Sequence, residues 1–306
     1  MELLQIKKEL TRKKAVMKKG DKAAIVSCSN GRPASFQPDL DQLQRILMKM
    51  GLVPVLSDYI FEKDSVFSGT GKERAESLMD FYKDDEIKAI FDISGGDLAN
   101  EILNFLDYET IAKSDKLFWG YSDLTCVINA IYSQTGLPSV LYQVRNLASD
   151  ESGERIRRFQ KTVMEDNQKE SNAGGGLLDI ACHFIQGSKM CGVVVGGNIR
   201  CLLKLAGTPY WPDMNGKILL LEAYKGGVPQ MTAFLNQLKQ IGVFEQVSGI
   251  LLGTFTHMEK EQCAPDIVEL VKRYAGEKLP IAQTKEIGHG ADARAIIIGK
   301  EMELKA

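Results

Sequence analysis

Short apolar runs alternate with stretches of helical periodicity along the first half of the chain. The runs have the length and composition of buried strands and lie at 23–27, 52–56, 89–93, 117–120 and 139–142. Apolar stripes at helical spacing lie between them, notably at 40–50, 78–82 and 98–103. Strand, helix and strand in strict succession predict a parallel, doubly wound sheet. Functional groups are therefore expected at the carboxyl ends of its strands.

The pattern changes in the middle of the chain. Residues 149–168 are highly charged, and the Ser-Asn-Ala-Gly-Gly-Gly stretch at 171–176 predicts a flexible connection. Beyond it, strands are expected at 190–195, 217–221, 247–255, 280–283 and 295–298, and helices at 198–205, 229–241 and 264–274. The fold class predicted is α/β, with an N-terminal doubly wound domain at 1–148, a linker at 149–176 and a C-terminal mixed α/β domain at 177–306.

Composition narrows the choice of partners. The 306 residues are 44% hydrophobic and carry a net charge of −2, which gives no reason to expect nucleic acid or a membrane as partner. No apolar run is long enough to span a bilayer and the first twenty residues lack a secretory core, so a cytoplasmic protein is expected. The basic stretch 7–19 predicts a solvated helix. Six scattered cysteines and three histidines predict reduced thiols and no zinc site.

One predicted turn places a serine at the end of a strand. The run 117–120 stops at a glycine, and Tyr121-Ser122-Asp123 precedes an amphipathic stretch that Gly136 should end. A strand, a tight turn and a helix in this order expose a hydroxyl beside unpaired backbone N–H groups, as an acyl-transfer nucleophile requires. The alternative is that Ser122 and Asp123 only cap the helix, and the stretch by itself favours this simpler interpretation.

A serine nucleophile needs a base, and three histidines are available. His183 lies in an apolar, helix-like run at 177–185 and is expected to pack or cap there, whereas His257 follows a strand and is expected at the surface. His289 lies in a glycine-flanked loop between two predicted strands, where a positioned functional side chain is expected. A purely structural role for His289 stays open at this stage.

Two further features are candidates for the same site. Glu222 follows the apolar run 218–221, so it is either buried at a strand end, where its charge needs a partner, or in water just beyond the strand. The Gly95-Gly96 turn follows the predicted strand at 89–93, so its amides can face the neighbouring strand end. The amide of Asp123 would be a second oxyanion donor, although glycine pairs also form ordinary sharp turns.

Four blocks of residues resemble the LD-carboxypeptidase family of serine peptidases, which also contains the microcin C immunity peptidases. The blocks are Gly120-Tyr121-Ser122-Asp123, then Gly196-Gly197-Asn198 through Leu205-Ala206-Gly207-Thr208-Pro209-Tyr210 and Pro212-Asp213, then Gly216 through Glu222, then Gly288-His289. They occur in the family's order. The resemblance extends from about Lys19 to the C-terminus.

The resemblance implies a Ser-His-Glu triad in which Ser122 is the nucleophile, His289 the general base and acid, and Glu222 the carboxylate that orients the histidine. It implies an oxyanion hole of backbone amides from Asp123 and the Gly95-Gly96 turn. It further implies a site between an N-terminal domain with the serine and a C-terminal domain with the other two residues, a homodimer, and no metal or other cofactor. Gating of activity by relative domain motion is a further hypothesis.

The family contains two substrate classes, a small peptide and a peptidyl-nucleotide. One expected function is therefore a cytoplasmic serine carboxypeptidase that removes terminal D-alanine from murein tetrapeptides during peptidoglycan recycling, and the other is an amidase that detoxifies aminoacyl-nucleotide antibiotics of the microcin type. The turn Ser94-Gly95-Gly96-Asp97 departs from the Arg-Gly-Gly and aromatic residue common in the cell-wall branch. Glu222 is also followed by Ala223-Tyr224-Lys225 instead of acidic residues. These departures leave the substrate open.

A third possibility belongs to another class of protein. A non-catalytic nucleotide-binding protein would use Gly95-Gly96 and Gly196-Gly197 as phosphate turns, but no G-x-G-x-x-G or P-loop pattern follows a predicted strand. Arg200 and Lys204, near the second glycine pair, are either ligands for a substrate carboxylate or surface charges.

Overall fold

Two six-stranded sheets form the centre of the part of the chain that the structure, a computed structural model, describes: residues 17–164 and 176–306. The strands are β1 (Lys22–Val26), β2 (Val53–Leu56), β3 (Ile87–Asp92), β4 (Leu117–Gly120), β5 (Ser139–Leu141), β6 (His183–Gln186), β7 (Lys189–Asn198), β8 (Ile218–Ala223), β9 (Gly249–Phe255), β10 (Ile281–Gln283), β11 (Ile296–Ile298) and β12 (Glu301–Lys305). The helices are α1 (Gln37–Lys49), α2 (Gly71–Lys83), α3 (Tyr108–Lys113), α4 (Thr125–Thr135), α5 (Glu154–Met164), α6 (Ile199–Leu203), α7 (Val228–Gln240), α8 (Val243–Gln246), α9 (Thr256–Lys260) and α10 (Ile267–Ala275).

The first sheet has the order β11-β5-β4-β3-β1-β2. Strands β1 to β5 are parallel, and β11 pairs antiparallel with β5 at the edge. The direction of winding reverses between β1 and β3, which opens a crevice at their carboxyl ends, the usual ligand position in such sheets. The predicted doubly wound parallel sheet is confirmed.

The second sheet has the order β12-β7-β8-β9-β10-β6. Its four central strands are parallel, and β12 and β6 pair antiparallel at the two edges. Asn198 at the end of β7 lies opposite Glu222 near the end of β8. The predicted α/β class is therefore confirmed for both halves of the chain.

Local sequence explains the helices that flank the first sheet. Helix α1 buries Leu40, Leu43, Ile46 and Leu47, which recur at helical spacing on its inner face. Helix α2 begins with a capping box in which Glu73 N–H donates to the Thr70 hydroxyl oxygen (3.2 Å) and Thr70 N–H donates to the Glu73 carboxylate (2.8 Å). These signals fix where each crossover begins and so place the strand ends.

The core forms three clusters that separate the layers. One cluster lies between the two sheets and joins residues of α4 to residues of β8 and β9, such as Val127, Leu220 and Leu251. A second packs α1 and α5 on the opposite face of the first sheet, and a third packs α7 and α10 on the outer face of the second sheet. The carboxyl ends of β4 and β8 consequently face one another across a shared core.

Several elements differ from the sequence expectation because tertiary contacts decide them. Residues 98–103 form a 3-10 segment, Ala99–Phe105, in place of a longer helix. The charged stretch at 149–168 contains α5, whose Phe159 and Val163 are buried against the first sheet. Strand β11 follows the second-half strands in sequence but pairs in the first sheet. The predicted basic helix at 7–19 and the flexible connection at 171–176 lie mostly outside the described residues.

None of the helices in the described part of the chain is both long enough and apolar enough to cross a bilayer. All six cysteines are free thiols, three of them buried: Cys28, Cys126 and Cys201.

Candidate active site

Ser122 stands directly beyond β4 in a left-handed backbone conformation, with φ of 56°. A residue with a side chain adopts this conformation at an energetic cost and does so mostly where a turn or a functional site requires it. The 3-10 turn Ser122–Leu124 leads into α4, and neither helix start has a side-chain cap hydrogen bond. Ser122 is therefore not a cap, and its hydroxyl is free to point elsewhere.

The Ser122 hydroxyl points at His289. Its Oγ lies 3.1 Å from His289 Nε2, and His289 Nδ1 lies 2.8 Å from Glu222 Oε2. We assign the Nδ1–H tautomer, because a carboxylate oxygen can only accept. Three residues that the sequence predicted separately thus form one continuous line of hydrogen bonds.

Glu222 is fully buried near the end of β8, which excludes the alternative that it faces water. Its second oxygen, Oε1, accepts from Asn198 Nδ2 at 3.0 Å. A buried carboxylate needs such partners to offset its desolvation. Sequence reasoning named Asn198 only as part of a motif and missed this contact, although its place beyond an apolar strand beside the Glu222 strand was available as a signal.

The loop that carries His289 runs from β10 in the second sheet to β11 in the first. Gly288 makes a close approach possible there, because a Cβ at this position would lie 1.7 Å from Thr254 Oγ1. The loop is also held at its far side, where Arg155 Nη1 donates to the Ala291 carbonyl at 2.8 Å. His289 is consequently fixed to both sheets.

Two tyrosines enclose the imidazole. The Tyr121 ring meets it edge-on and the Tyr224 ring stacks on it, each with ring centroids 4.8 Å from the imidazole. Tyr121 is buried, and burial together with the neighbouring Glu222 carboxylate raises its pKa well above the ordinary value. Tyr224 is 50% exposed, so it forms the side of the site that faces solvent.

The Gly95-Gly96 turn lies against Ser122, since a Cβ on Gly95 would be 3.9 Å from the Ser122 Cβ. Gly96 has φ of 124°, and a Cβ there would be 2.2 Å from Asn30 Oδ1, so only glycine fits. Asn30 Oδ1 accepts from Asp97 N–H (2.8 Å), and Asn30 N–H donates to the Gly95 carbonyl (3.3 Å). Asn30 therefore sets the shape of the turn.

Three backbone N–H groups around Ser122 lack a hydrogen-bond acceptor among the described residues. Within residues 17–164 and 176–306, the amides of Gly95, Gly96 and Asp123 donate to no protein acceptor. These are the amides predicted as oxyanion donors. Unpaired N–H groups beside a nucleophile can stabilise negative charge on an oxygen that forms there.

The Asp123 side chain is buried and holds this region together. Its carboxylate accepts from Ser29 Oγ (2.7 Å), from the Ala99 amide (2.9 Å) and from Lys204 Nζ (2.5 Å). Sequence reasoning considered only the Asp123 amide and a capping role. The carboxylate instead ties the turn after β4 to the segment after β3 and to the second sheet.

Arg200, in α6, and Lys204, just beyond it, reach from the second sheet to the glycine turn; we call them the cationic bridge. Arg200 pairs with the Asp97 carboxylate and donates to the Gly96 carbonyl at 2.8 Å, while Lys204 Nζ donates to the Asp97 carbonyl at 2.7 Å. The sequence left both as substrate ligands or surface charges. Both are ion-paired to the first half of the chain.

A second tie joins the nucleophile helix to the second sheet. Asn129 in α4 exchanges hydrogen bonds with Gly196: its Nδ2 donates to the carbonyl at 2.9 Å, and the Gly196 amide donates to its Oδ1 at 2.8 Å. Thr125 Oγ1 accepts from the Asn198 amide at 3.0 Å. The strand pair that carries Asn198 and Glu222 is thereby held in register with the helix behind Ser122.

The other two histidines lie away from this line. His257 is exposed in α9, as expected. The prediction for His183 was wrong: it begins strand β6, where it is exposed, because pairing with β10 overrides the helix-like pattern of the run. The described residues contain no group of three His, Cys, Asp or Glu side chains arranged to hold a metal ion.

Two family models match different parts of the chain. The family model described as LD-carboxypeptidase N-terminal domain matches residues 23–143, and that described as LD-carboxypeptidase C-terminal domain matches 191–304. A Bacillus subtilis protein named "Probable murein peptide carboxypeptidase" is 30% identical over 299 residues, which cover 95% of this chain and 90% of the relative.

Two further similarities involve the microcin C7 self-immunity protein MccF. The Escherichia coli sequence is 29% identical over 232 residues, 68% of this chain and 67% of the relative. A solved structure of MccF in complex with aspartyl sulfamoyl adenosine superposes with a TM-score of 0.82 at 22% identity and covers 95% of both chains. At that identity the superposition shows a shared fold.

Proposed function

The chain belongs to the LD-carboxypeptidase family and is a serine-type carboxypeptidase; from that premise we propose that it removes the terminal D-alanine of murein tetrapeptides with Ser122, His289 and Glu222 as its catalytic triad. The observation that carries the proposal is the unbroken line from Ser122 Oγ to His289 to Glu222, with distances of 3.1 and 2.8 Å. A hydroxyl, an imidazole and a carboxylate in this order define the chemistry of a serine hydrolase.

The acylation step follows from these contacts. His289 Nε2 takes the proton of Ser122 as Oγ attacks the carbonyl carbon of the scissile amide, and Glu222 stabilises the imidazolium that forms. His289 then gives the proton to the departing amine as the C–N bond breaks. Deacylation repeats the sequence with water as the nucleophile. Asn198 keeps the Glu222 carboxylate turned toward His289 throughout.

The oxyanion of each tetrahedral intermediate needs donors that are already in place. We assign this role to the amides of Asp123 and of Gly95 or Gly96, which have no acceptor in the described part of the protein. Removing one such donor costs about 10²- to 10³-fold in kcat in other serine hydrolases. The closeness of Gly95 to Ser122 supports this assignment.

Release of D-alanine tests the substrate. Purified protein is incubated with the murein tetrapeptide, and free D-alanine is measured by an amino-acid oxidase assay beside the Ser122→Ala variant. We expect release by the wild-type protein and none above background by Ser122→Ala. Release that persists in the variant would remove Ser122 from the mechanism.

An aminoacyl-nucleotide amide is the second candidate substrate. Two observations favour it: the relationship to MccF, and the half-exposed Tyr224 ring, a surface on which a nucleobase can stack. Incubation with aspartyl sulfamoyl adenosine and chromatography of the products would show the freed nucleoside moiety. A kcat/KM for this substrate well above that for the tetrapeptide would replace the murein assignment.

The assembly, compartment and division of the chain are part of the same proposal. We propose a cytoplasmic homodimer, as the family resemblance implies, with the chain divided at 1–148, 149–176 and 177–306. The two family models, which match on either side of residues 144–190, support the division. Light scattering of the purified protein would give the mass of one or two chains and so decide the assembly.

A further inference from the structure

Two arginines near the site have no carboxylate partner. Arg32 lies in the loop after β1, and Arg145 lies in the 3-10 segment Val144–Ser149 after β5. Neither forms an ion pair with any described residue. The Arg32 Nε is buried and donates to no acceptor among the described residues. Guanidinium groups without carboxylate partners are candidates for binding an anion.

The two guanidinium groups are close enough to affect one another. Burial lowers the pKa of Arg145 to about 10, and the charge of Arg32 contributes to that lowering. The geometry agrees: the Arg32 guanidinium lies 4.3 Å over the ring of Phe36, which directly precedes α1, and the segment that carries Arg145 packs against α1. Two like charges are therefore held near one another in a partly desolvated place. Such an arrangement is unfavourable unless a negative group joins it.

The carboxylates in the neighbourhood do not supply that negative group. Asp92 is buried and already accepts from the Cys28 amide (2.8 Å) and from the amide and hydroxyl of Ser94 (2.7 and 2.6 Å). Asp39, on the first turn of α1, and Glu62 are both exposed, and neither forms an ion pair with Arg32 or Arg145. The side-chain oxygen of Gln143, once its amide is oriented toward the guanidinium, accepts from Nε and Nη2 of Arg145, but this partner is neutral.

The position of the pair relates it to the reaction. Strand β5 adjoins β4, so the segment that carries Arg145 leaves the sheet beside the turn that carries Ser122. Arg145 also lies within electrostatic range of Tyr224, whose ring stacks on His289. Arg145 is therefore placed near the turn that carries Ser122, on the side of the site that the half-exposed Tyr224 ring borders.

The proposed reaction needs a binding site for a carboxylate close to His289. His289 must protonate the amine of the leaving amino acid, and in a carboxypeptidase that amino acid has a free carboxylate on the carbon next to the amine. The carboxylate must lie within about one residue length, roughly 4 Å, of the amine. Arg200 and Lys204 are occupied by Asp97 and Asp123. The arginine pair is left to receive it.

We propose that Arg145, assisted by Arg32, binds the free carboxylate of the amino acid that leaves during hydrolysis. The assignment rests on the proposed function and names the group that makes the enzyme a carboxypeptidase. The Gln143 oxygen occupies the Nε and Nη2 edge of the Arg145 guanidinium, which leaves the edge formed by Nη1 and the second N–H of Nη2 for two-point contact with a carboxylate. Lys225 is the rival, since it is an exposed cation just beyond Tyr224.

The test compares two substrates that differ in one group. The tetrapeptide with a free D-alanine carboxylate and the same peptide ending in D-alaninamide are given to the wild-type protein. We expect kcat/KM for the acid to exceed that for the amide by about 10²-fold or more, because a site built for a charged group discriminates strongly against its absence. Equal rates would overturn the proposal while leaving the peptidase assignment intact.

Variants then identify the residue. Arg145→Gln should lose about 10²-fold in kcat/KM on the acid and little on the amide, so the preference for the acid should disappear. Arg145→Lys and Arg32→Gln should each keep part of this preference. The matched control is Arg45→Gln, an exposed arginine on α1, which should change neither rate. The rate of Ser122 labelling by a fluorophosphonate, unchanged in Arg145→Gln, would show that the site is still folded.

Two outcomes would reject the binding of the leaving carboxylate by Arg145. The first is a preference for the acid that survives in Arg145→Gln or disappears in Lys225→Met. The second is a wild-type protein that cleaves only aspartyl sulfamoyl adenosine, whose leaving group has no carboxylate. That second result would also reject the D-alanine assignment, whereas the first would not.

Discussion

The two sides of Ser122 are built from different interactions. On the histidine side, Ser122, His289 and Glu222 are aligned by hydrogen bonds along strand ends, with Asn198 behind them. On the glycine-turn side, the shape depends on the cationic bridge, which reaches across from the second sheet to Asp97 and Asp123. The first side is set by topology, and the second by charges that meet only in the folded chain.

The difference indicates how each side should respond to mutation. Residues of the hydrogen-bonded line take part in proton transfer, so their loss should reduce the rate with little effect on stability. Residues of the cationic bridge hold a buried carboxylate, so their loss should reduce both stability and rate.

Removing the base should cause the largest loss. We expect His289→Ala to lower kcat about 10⁴- to 10⁶-fold and Glu222→Gln to lower it less, because the second residue acts through the first. Steady-state kinetics on the cleaved substrate measure both. The double variant should be little worse than His289→Ala alone, and additive losses would show that the residues do not act as one unit.

The glycine turn should be the next most sensitive position. In Gly96→Ala the new methyl group meets Asn30 Oδ1 at 2.2 Å in a backbone conformation with φ of 124°, so the turn must shift. We expect kcat to fall about 10²- to 10³-fold as an oxyanion donor is misplaced. Gly136→Ala is the control, since Gly136 also has positive φ but has nothing within 4 Å of its Cβ position. Equal losses in both variants would attribute the effect to backbone strain alone.

The cationic bridge should show a mixed effect. Lys204→Met leaves the fully buried Asp123 carboxylate without its cation, and Lys204 itself is only 17% exposed. We expect a loss of about 3 kcal/mol in the free energy of unfolding, together with a fall in kcat of about 10-fold or more. Urea unfolding measures the change in unfolding free energy, and steady-state kinetics measure the change in kcat.

An exposed pair provides the comparison for Lys204. Lys189→Met removes the pair with Glu303, in which the side chains are 58% and 44% exposed, and should change stability by no more than about 0.5 kcal/mol. A stability loss in Lys204→Met as small as this would show that the bridge does not hold the turn.

The smallest expected effect is on the pH dependence of the unfolding free energy. The hydrogen-bonded Arg200 guanidinium holds the pKa of Asp97 below its ordinary 3.8. A carboxyl group with a lowered folded-state pKa stabilises the fold above its ordinary pKa, and that stabilisation is lost as the pH falls through the folded value. Asp97 is 64% exposed, so we expect no more than about 0.5 kcal/mol. Wild-type protein and Arg200→Gln should therefore differ in unfolding free energy at pH 6, and the difference should shrink as the pH falls below 3.8. A difference independent of pH would contradict the pairing.

The same division explains what the sequence could and could not predict. Apolar periodicity was sufficient to place Ser122 and Glu222 at the ends of strands and His289 in a loop between two strands, but these strands belong to two different sheets. Only the resemblance to the family joined the three residues into one site. The partners of Arg200 and Lys204 lie in the other half of the chain, and no local pattern pairs a cation with a distant carboxylate.

Long-range contacts also decided two features that the sequence did not predict, the partner of β11 and the presence of α5. Strand β11 was expected as a strand, but its return to the first sheet depends on pairing with β5, far away in sequence. The charged stretch at 149–168 was predicted as part of a linker but contains α5. The helix forms because burial of Phe159 among aromatic rings of the first sheet outweighs the polar character of the segment. Since β11 and the cationic bridge tie the halves together, we expect gating by domain motion to be limited.

Labelling of the nucleophile tests the central claim most directly. Purified protein is treated with a fluorophosphonate, digested and mapped by mass spectrometry, beside Ser122→Ala and His289→Ala. We expect one label per chain on the peptide that contains Ser122, none in Ser122→Ala and much slower labelling in His289→Ala. A label on another residue, or equal labelling of Ser122→Ala and the wild-type protein, would contradict the triad.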